Sequence, residues 1–192
     1  VDYYFVDTNF FDTSDPTLNQ GHNICALETN TPEASCGEEG PKSVYDCPTW
    51  FAKLWDEQLL WLESHLGKST ADWQVVVTHF PPTFGKTDWL RLSHKYGIDL
   101  FVTGHEHSQV VVGPEAADNF LKPTAYIISG GGGGIMSESA PSMTGSDDQY
   151  GFMDMTLAES HITVDAISHG GQVRRSMKIE PQWPHNPHHV KE

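Results

Sequence analysis

Imidazole side chains follow two strongly apolar segments of the chain, and they are the residues best suited to chemistry. His79 comes directly after Val75-Val76-Val77-Thr78, and His105 and His107 come shortly after Leu100-Phe101-Val102-Thr103. Neutral imidazole is the commonest nitrogen ligand for metals such as zinc. His105 and His107 are two residues apart, so in an extended segment their side chains point to the same side. The pattern predicts that His79, His105 and His107 hold part of a metal site.

The alternative for each histidine alone is a structural role. A single histidine after a strand is more often a hydrogen-bonded structural residue, and an isolated H-x-H is a weak signal. The arrangement is more informative, because the two sites follow successive predicted strands with a helix between them. In open α/β sheets, ligands bind beyond the carboxyl ends of the strands, where neighbouring loops converge. This arrangement favours the metal site over the structural alternative.

The elements that would position these histidines form an α/β pattern with a β-rich end. Apolar residues at three- and four-residue spacing predict helices, and β-branched or alternating runs predict strands. Strand, helix, strand, helix and strand in succession predict an α/β fold with a mixed sheet, and the last three strands predict an antiparallel meander. The predicted helices are 50–66 and 88–96, and the predicted strands are 1–7 (buried), 73–78, 98–103, 110–112, 125–128, 151–157, 162–167 and 173–179.

Three parts of the chain have no such periodicity. Residues 13–49 form a long acidic segment, of a length that is usually functional, disordered or inserted. Its three cysteines, Cys25, Cys36 and Cys47, favour one local disulfide in an oxidising compartment, with the third thiol free or paired elsewhere; three free thiols are the alternative. The five glycines at 130–134 predict a flexible turn near the site, and residues 181–192 an irregular tail.

Charge and composition exclude several classes of protein. Lys plus Arg number 11 and Asp plus Glu 26, so the formal charge is 11 − 26 = −15. A chain this acidic repels nucleic acid and anionic membranes, and no apolar run is long enough to span a bilayer. The first residues lack the basic region of a signal peptide. Because the chain starts at Val1 within a predicted strand, we expect it to be processed or to continue upstream.

Two motifs carry a resemblance to a known family. They are V-V-V-T-H-F-P at 75–81 and G-H-E-H at 104–107. Further support comes from residues 4–8, 58–62, 127–131 and 151–152. On these motifs the chain resembles the C-terminal half of a calcineurin-like metallophosphoesterase. More narrowly, it is similar to the purple (tartrate-resistant) acid phosphatases over most of residues 2–179.

The resemblance implies a fold, a metal centre and an activity. The implied fold is a four-layer αββα sandwich with mixed sheets, of which residues 1–180 would be the C-terminal part. The implied site holds two metal ions, with His79 and His105 on the second, divalent ion and His107 on the first, an iron. The second ion would be Zn, Mn or Fe. The implied activity is hydrolysis of phosphomonoesters by a secreted or lumenal enzyme.

The chain departs from the family pattern in one large respect. The family's D-x-H or D-x-G, G-D-x-x-[DY] and G-N-H-[DE] motifs do not occur in it, so the bridging carboxylate and the asparagine ligand are absent. We therefore expect a partner, either the N-terminal half of the same domain or a second subunit. Two alternatives are a non-catalytic phosphatase-like subunit of an extracellular assembly and a chain that binds zinc alone.

Overall fold

The structure, a computed structural model, describes residues 1–18, 21–132 and 140–182. The chain divides into two compact units. The first consists of Val1–Phe5 and the described residues from His65 onward, and the second is Val6–Ser64. In the described part of the chain, no helix is long and apolar enough to cross a membrane.

A five-stranded sheet forms the centre of the first unit. Its strands lie in the order β1-β2-β3-β5-β4, and all are parallel except β4, which runs antiparallel to β5. Because these strands are parallel, their carboxyl ends lie along the same end of the sheet. Runs of Val and Ile favour such buried strands. The bounds are β1 Asp2–Phe5, β2 Gln74–Val77, β3 Leu100–Thr103, β4 Gln109–Val112 and β5 Ala125–Ser129.

A second, antiparallel sheet packs against the first. Its strands are β6 (Gly151–Leu157), β7 (Ile162–Ser168) and β8 (Val173–Ile179), in that order. Alternation along β7 buries every second side chain, as expected for a strand with one face on the core. Buried residues of both sheets, with Trp73, form one hydrophobic cluster: Trp73, Val75, Leu100, Ala125, Ile127, Ile162, Val164, Met177 and Ile179.

A helix covers the opposite face of the five-stranded sheet. It is α2, Lys86–Tyr96, and its Trp89 is buried with a ring centroid 5.1 Å from that of Phe101 on β3. Phe101 follows Leu100, which belongs to the core between the sheets, so its side chain points to the other face. α2 ends before Gly97, whose φ of 66° fits a left-handed helix cap.

The second unit carries most of the longer helix. This helix, α1, runs from Cys47 to Leu66, and a 3-10 turn at Asn9–Asp12 packs on it. The Phe11 ring meets that of Trp55 edge-on, with centroids 4.9 Å apart, and Phe10 stacks on the same indole at 6.1 Å. These contacts bury Trp55, which is 5% exposed.

A disulfide fixes the irregular segment of the second unit to α1. It joins Cys25 and Cys47, and Cys36 is an exposed free thiol. The Asn23 side chain adds hydrogen bonds, accepting from the Ser14 and Cys25 amides at 3.1 Å and donating to the Asp15 carbonyl at 3.1 Å. The prediction of one local disulfide with one cysteine outside it is confirmed.

The predicted fold class is also confirmed: the chain forms an α/β sandwich with a mixed sheet. Helix 50–66 begins three residues earlier, at Cys47, and the strand and helix positions hold to within a few residues. The prediction that the first strand is buried is wrong. Among the described strands, β1 pairs with β2 alone and so lies at the edge of the sheet, and Phe5 on it is 73% exposed. The glycines at 133 and 134 and the tail from 183 onward lie outside the described residues.

Candidate metal centre

The two histidine motifs follow adjacent parallel strands. β2 ends at Val77, two residues before His79, and β3 ends at Thr103, two residues before His105. The two strands pair directly, so their carboxyl ends and the residues that follow lie at the same edge of the sheet. Backbone hydrogen bonds continue beyond the strands: Thr78 donates to the Val102 carbonyl at 3.0 Å.

His79 and His105 come together at this edge. Their ring centroids are 5.3 Å apart and their planes are nearly perpendicular, at 80°. Gly104 donates its N–H to the His79 carbonyl at 2.9 Å, so the main chains of the two motifs are joined next to the rings. His79 is exposed and His105 is half-buried. The pair is thus fixed by the backbone and open on the His79 side.

Two phenylalanines form an aromatic wall beside His105. The Phe80 ring centroid lies 4.2 Å from that of His105, and the Phe84 centroid lies 5.4 Å from it in an edge-on contact. Phe80 is only 3% exposed. The imidazole of His105 therefore has few orientations available, because both rings restrict it. The sequence motif included Phe80 but not Phe84. The signal for Phe84 was its place at the end of a turn that begins with Pro81-Pro82.

The backbone at His105 differs from the extended segment that the sequence suggested. His105 has φ 70°, in the left-handed region, and such a conformation costs a non-glycine residue about 1–2 kcal/mol. The Glu106 amide donates to the Gly104 carbonyl at 2.9 Å, and the Ser108 amide to the Glu106 carbonyl at 2.8 Å. The segment is bent, so the argument that His105 and His107 point to one side because it is extended is wrong.

A glycine on the neighbouring loop fits against this bend. The Gly130 amide donates to the Ser108 carbonyl at 3.0 Å. A Cβ on Gly130 would lie 1.7 Å from the Glu106 carbonyl oxygen, a distance that no side chain tolerates. The loop after β5 and the G-H-E-H bend therefore pack backbone to backbone. Gly130 is important because of this close approach. From the sequence, it was only one of five consecutive glycines.

The third predicted ligand does not complete a group of ligands in the structure. His107 is exposed, and within residues 1–18, 21–132 and 140–182 no group of three or more His, Cys, Asp or Glu is placed to hold a metal ion. The role of His107 as a ligand stays a prediction. The structure brings the other two predicted ligands together: the ring centroids of His79 and His105 are 5.3 Å apart.

The donor set decides what the pair could hold. With a zinc–nitrogen bond of about 2.0–2.1 Å, two imidazoles on one ion place their ring centroids roughly 5 Å apart. The observed 5.3 Å fits two ligands of a single divalent ion. A two-metal centre needs further donors, and the described residues supply no carboxylate grouped with these histidines. The pair therefore fits part of a metal centre.

Sequence comparison matches the part of the chain that carries both histidine motifs to a known family. A family model described as calcineurin-like phosphoesterase matches residues 9–109, just over half of the chain. The chain belongs to this family. The match covers His79, His105 and His107, and it confirms the resemblance seen in the motifs. No curated protein sequence matches the chain.

Solved structures with a similar fold include a parasite protein and a plant enzyme. The first is described as "GAP50 the anchor in the inner membrane complex of Plasmodium", with a TM-score of 0.55, 19% identity, and coverage of 94% of this chain and 49% of that one. The second is purple acid phosphatase PPD1 from yellow lupin seeds, with a TM-score of 0.50, 21% identity, and coverage of 66% and 28%. This chain thus spans about half of the length of the first protein and under a third of the length of the second.

Proposed function

We propose that the chain is part of a metal-dependent phosphomonoester hydrolase of the acid phosphatase type. The observation that carries this proposal is the His79–His105 pair, with centroids 5.3 Å apart at the carboxyl edge of the parallel sheet. Membership of the calcineurin-like phosphoesterase family supports phosphate esters as substrates. The chain would supply the C-terminal half of the two-metal site.

Each histidine has a proposed place in that site. His79 and His105 would hold the second ion, Zn, Mn or Fe, and His107 would bind the first, an iron. When bound, two such ions clamp the phosphoryl group and lower the pKa of a bound water. The chain's own contribution is orientation: Phe80 and Phe84 restrict the His105 ring and exclude water from that side of it.

A complete site would require a partner, the N-terminal half of the same domain or a second subunit. The open edge at β1 supports this part of the proposal. Asp2 donates to the Trp73 carbonyl at 2.9 Å. Because backbone groups alternate in direction along a strand, those of Tyr3 and Phe5 point away from β2, to the side where no other described strand pairs. Both side chains are also exposed, at 45% and 73%. Exposed edges with apolar side chains are sites where further strands add.

The proposed location is secreted or lumenal. The Cys25–Cys47 disulfide supports it, because disulfides persist in oxidising compartments. The formal charge of −15 is unfavourable for nucleic acid or anionic membranes as partners. We expect a phosphate-ester substrate and a polypeptide partner in that compartment.

A second candidate function is a non-catalytic, phosphatase-like subunit of an extracellular assembly. One observation favours it: the similar Plasmodium structure is described as an anchor, and an anchoring role would use the fold without turnover. Such a role needs no convergence of imidazoles, so the two candidates differ in their need for His79 and His105.

Native mass spectrometry of the protein isolated from its source, followed by a phosphatase assay, tests the proposal. A hydrolase should carry a second polypeptide and two metal ions and should release p-nitrophenol from p-nitrophenyl phosphate. His79→Asn should lose one ion and at least about 100-fold in kcat/KM, because activated water is lost. His94→Asn, an exposed histidine on α2, is the matched control and should behave as the wild type.

The opposite result is equally specific. A metal-free complex that turns over no phosphomonoester, and in which His79→Asn changes neither composition nor stability, would contradict the hydrolase and favour the non-catalytic subunit.

A further inference from the structure

The second unit contains a cavity that the proposed phosphatase chemistry does not use. It has a volume of about 470 Å³ and lies between the first turn of α1 and the irregular segment before it. Small-molecule sites are typically concave and about 300–1,000 Å³ in volume. All of its lining residues belong to the second unit, Val6–Ser64. Its size and setting are those of a ligand site.

The walls of the cavity are held in place before any ligand binds. The disulfide joins Cys25 to Cys47, which lines the cavity at the start of α1. The Trp50 indole N–H donates to the Glu39 carbonyl at 3.1 Å, and the Cys36 amide donates to the Pro41 carbonyl at 3.0 Å. A preformed cavity loses little entropy when a ligand enters, which favours binding.

Aromatic and aliphatic side chains dominate the interior. Trp50 and Phe51 lie edge-to-face with centroids 4.9 Å apart, and Ile24, Pro41 and Val44 add aliphatic surface. Ile24 remains 38% exposed, so apolar surface is still accessible at the cavity. A ligand with an apolar body would remove this surface from water.

The charged residue that lines the cavity indicates which charge the polar end of the ligand should carry. Asp7 is the one charged residue among the described lining residues, and no Lys, Arg or His is among them. The Asp7 backbone is fixed by Gln58, whose side chain accepts from its N–H at 2.8 Å and donates to its carbonyl at 3.0 Å. One carboxylate oxygen accepts the Asn9 amide at 2.7 Å, and Asp7 is exposed, so its carboxylate is accessible to a ligand.

We propose that this cavity binds a small organic cation with an apolar body, such as an aryl-alkylammonium group. The ammonium would face Asp7, and the apolar body would lie against Trp50 and Phe51, whose ring faces attract cations. An anionic ligand is disfavoured, because the cavity offers a carboxylate and no positive side chain, on a chain of charge −15. This site does not depend on the phosphatase proposal.

Cys36 provides a reporter for the experiment, because it lines the cavity and is the free thiol of the chain, the other two cysteines being paired. Its modification by neutral 4,4′-dithiodipyridine is followed in the full chain with three probes: phenethyltrimethylammonium, phenethyl alcohol and phenethyl sulfonate. The ammonium probe should slow the modification at least about fivefold at saturation. It should bind at least about tenfold more tightly than the sulfonate.

Variants test the assigned residues. Asp7→Asn should weaken the ammonium probe by about two- to fivefold, as expected for an exposed charge pair, and should leave phenethyl alcohol unchanged. Asp56→Asn makes the same charge change on an exposed position of α1 outside the cavity and should have no effect. Trp50→Leu should weaken the ammonium probe by about tenfold, with near-ultraviolet circular dichroism confirming that the variant is folded.

Two results would overturn the proposal. One is a failure to discriminate in the wild-type chain, where all three probes protect Cys36 equally or none of them protects it. The other is an equal effect of Asp7→Asn and Asp56→Asn on the ammonium probe, because a long-range charge effect would then replace the cavity contact.

Discussion

Asp99, at the opposite end of β3 from the histidines, should make the chain less stable as the pH rises. Its side chain is fully buried, with one carboxylate oxygen accepting the Gln74 amide at 2.8 Å and the other the Gln182 amide at 2.9 Å. Burial disfavours the charged carboxylate and raises the pKa of Asp99 to about 7, although the two hydrogen bonds act in the opposite direction.

The sign and size of the effect follow from proton linkage. Between the ordinary pKa of 3.8 and about 7, the native state binds a proton that the unfolded state releases. The stabilisation is complete below the unfolded pKa and is lost as the pH rises through the folded pKa. At about 1.4 kcal/mol per pH unit, the loss between pH 4 and pH 8 amounts to at most about 4 kcal/mol.

Urea unfolding at intervals from pH 4 to pH 8 measures this loss for wild type and Asp99→Asn. The asparagine cannot ionise, but its NH₂ group cannot accept the hydrogen bond from one of the two backbone amides. This loss lowers the free energy of unfolding by about 1–3 kcal/mol. The wild type should therefore be the more stable at pH 4, and the difference should shrink or reverse by pH 8. Asp154→Asn, exposed on β6, is the control. A difference that stays constant with pH, or that grows as the pH rises, would refute the reasoning.

Three further variants test contacts that hold the site, the two sheets and the second unit. Gly130→Ala should lower the free energy of unfolding by about 2 kcal/mol and weaken zinc binding, because its Cβ would overlap the Glu106 carbonyl; unchanged zinc affinity by calorimetry would show that the contact is dispensable. Gln109→Ala should cost about 2 kcal/mol in urea unfolding, since its side chain donates to two carbonyls of the second sheet at 2.8 and 3.1 Å; a cost below 0.5 kcal/mol would contradict this bridge. Replacing Cys25 and Cys47 by alanine opens a disulfide with a sequence separation of 22 and should cost about 3 kcal/mol, whereas an equal midpoint with and without reductant in the wild type would argue against that value.

Much of the fold could be predicted because local physics determines it. The Val75–Val77 run is β-branched and apolar, and it forms part of a central strand. Gly97 ends α2 because glycine adopts φ 66° without strain. The strand alternation of β7 identifies which face is buried.

Features that depend on neighbours could not be predicted in the same way. The apolar start of the chain reads as a buried strand, but its place at the edge depends on which strands pair with it, and periodicity carries no such information. Cysteine spacing left the choice among three pairings open, and only the fold brings Cys25 to Cys47.

For the candidate site, the sequence predicted that His79 and His105 would lie near each other, but only part of the geometry around them. The strand order brings His79 and His105 together, as expected for residues after adjacent parallel strands. The left-handed backbone of His105 belongs to a bend that packs against Gly130, a residue distant in sequence, so local sequence patterns do not specify it. The wall made by Phe84 arises from a turn whose path the sequence alone does not specify.

The most direct test of the account is whether His79 and His105 share one divalent ion. Cobalt(II) is titrated into wild type, His79→Asn, His105→Asn and the control His94→Asn, and the d–d absorption of the bound ion is recorded. The account predicts one band present in wild type and His94→Asn and lost in both other variants. Unchanged bands in His79→Asn and His105→Asn would contradict it, because the ion would then be held elsewhere on the chain.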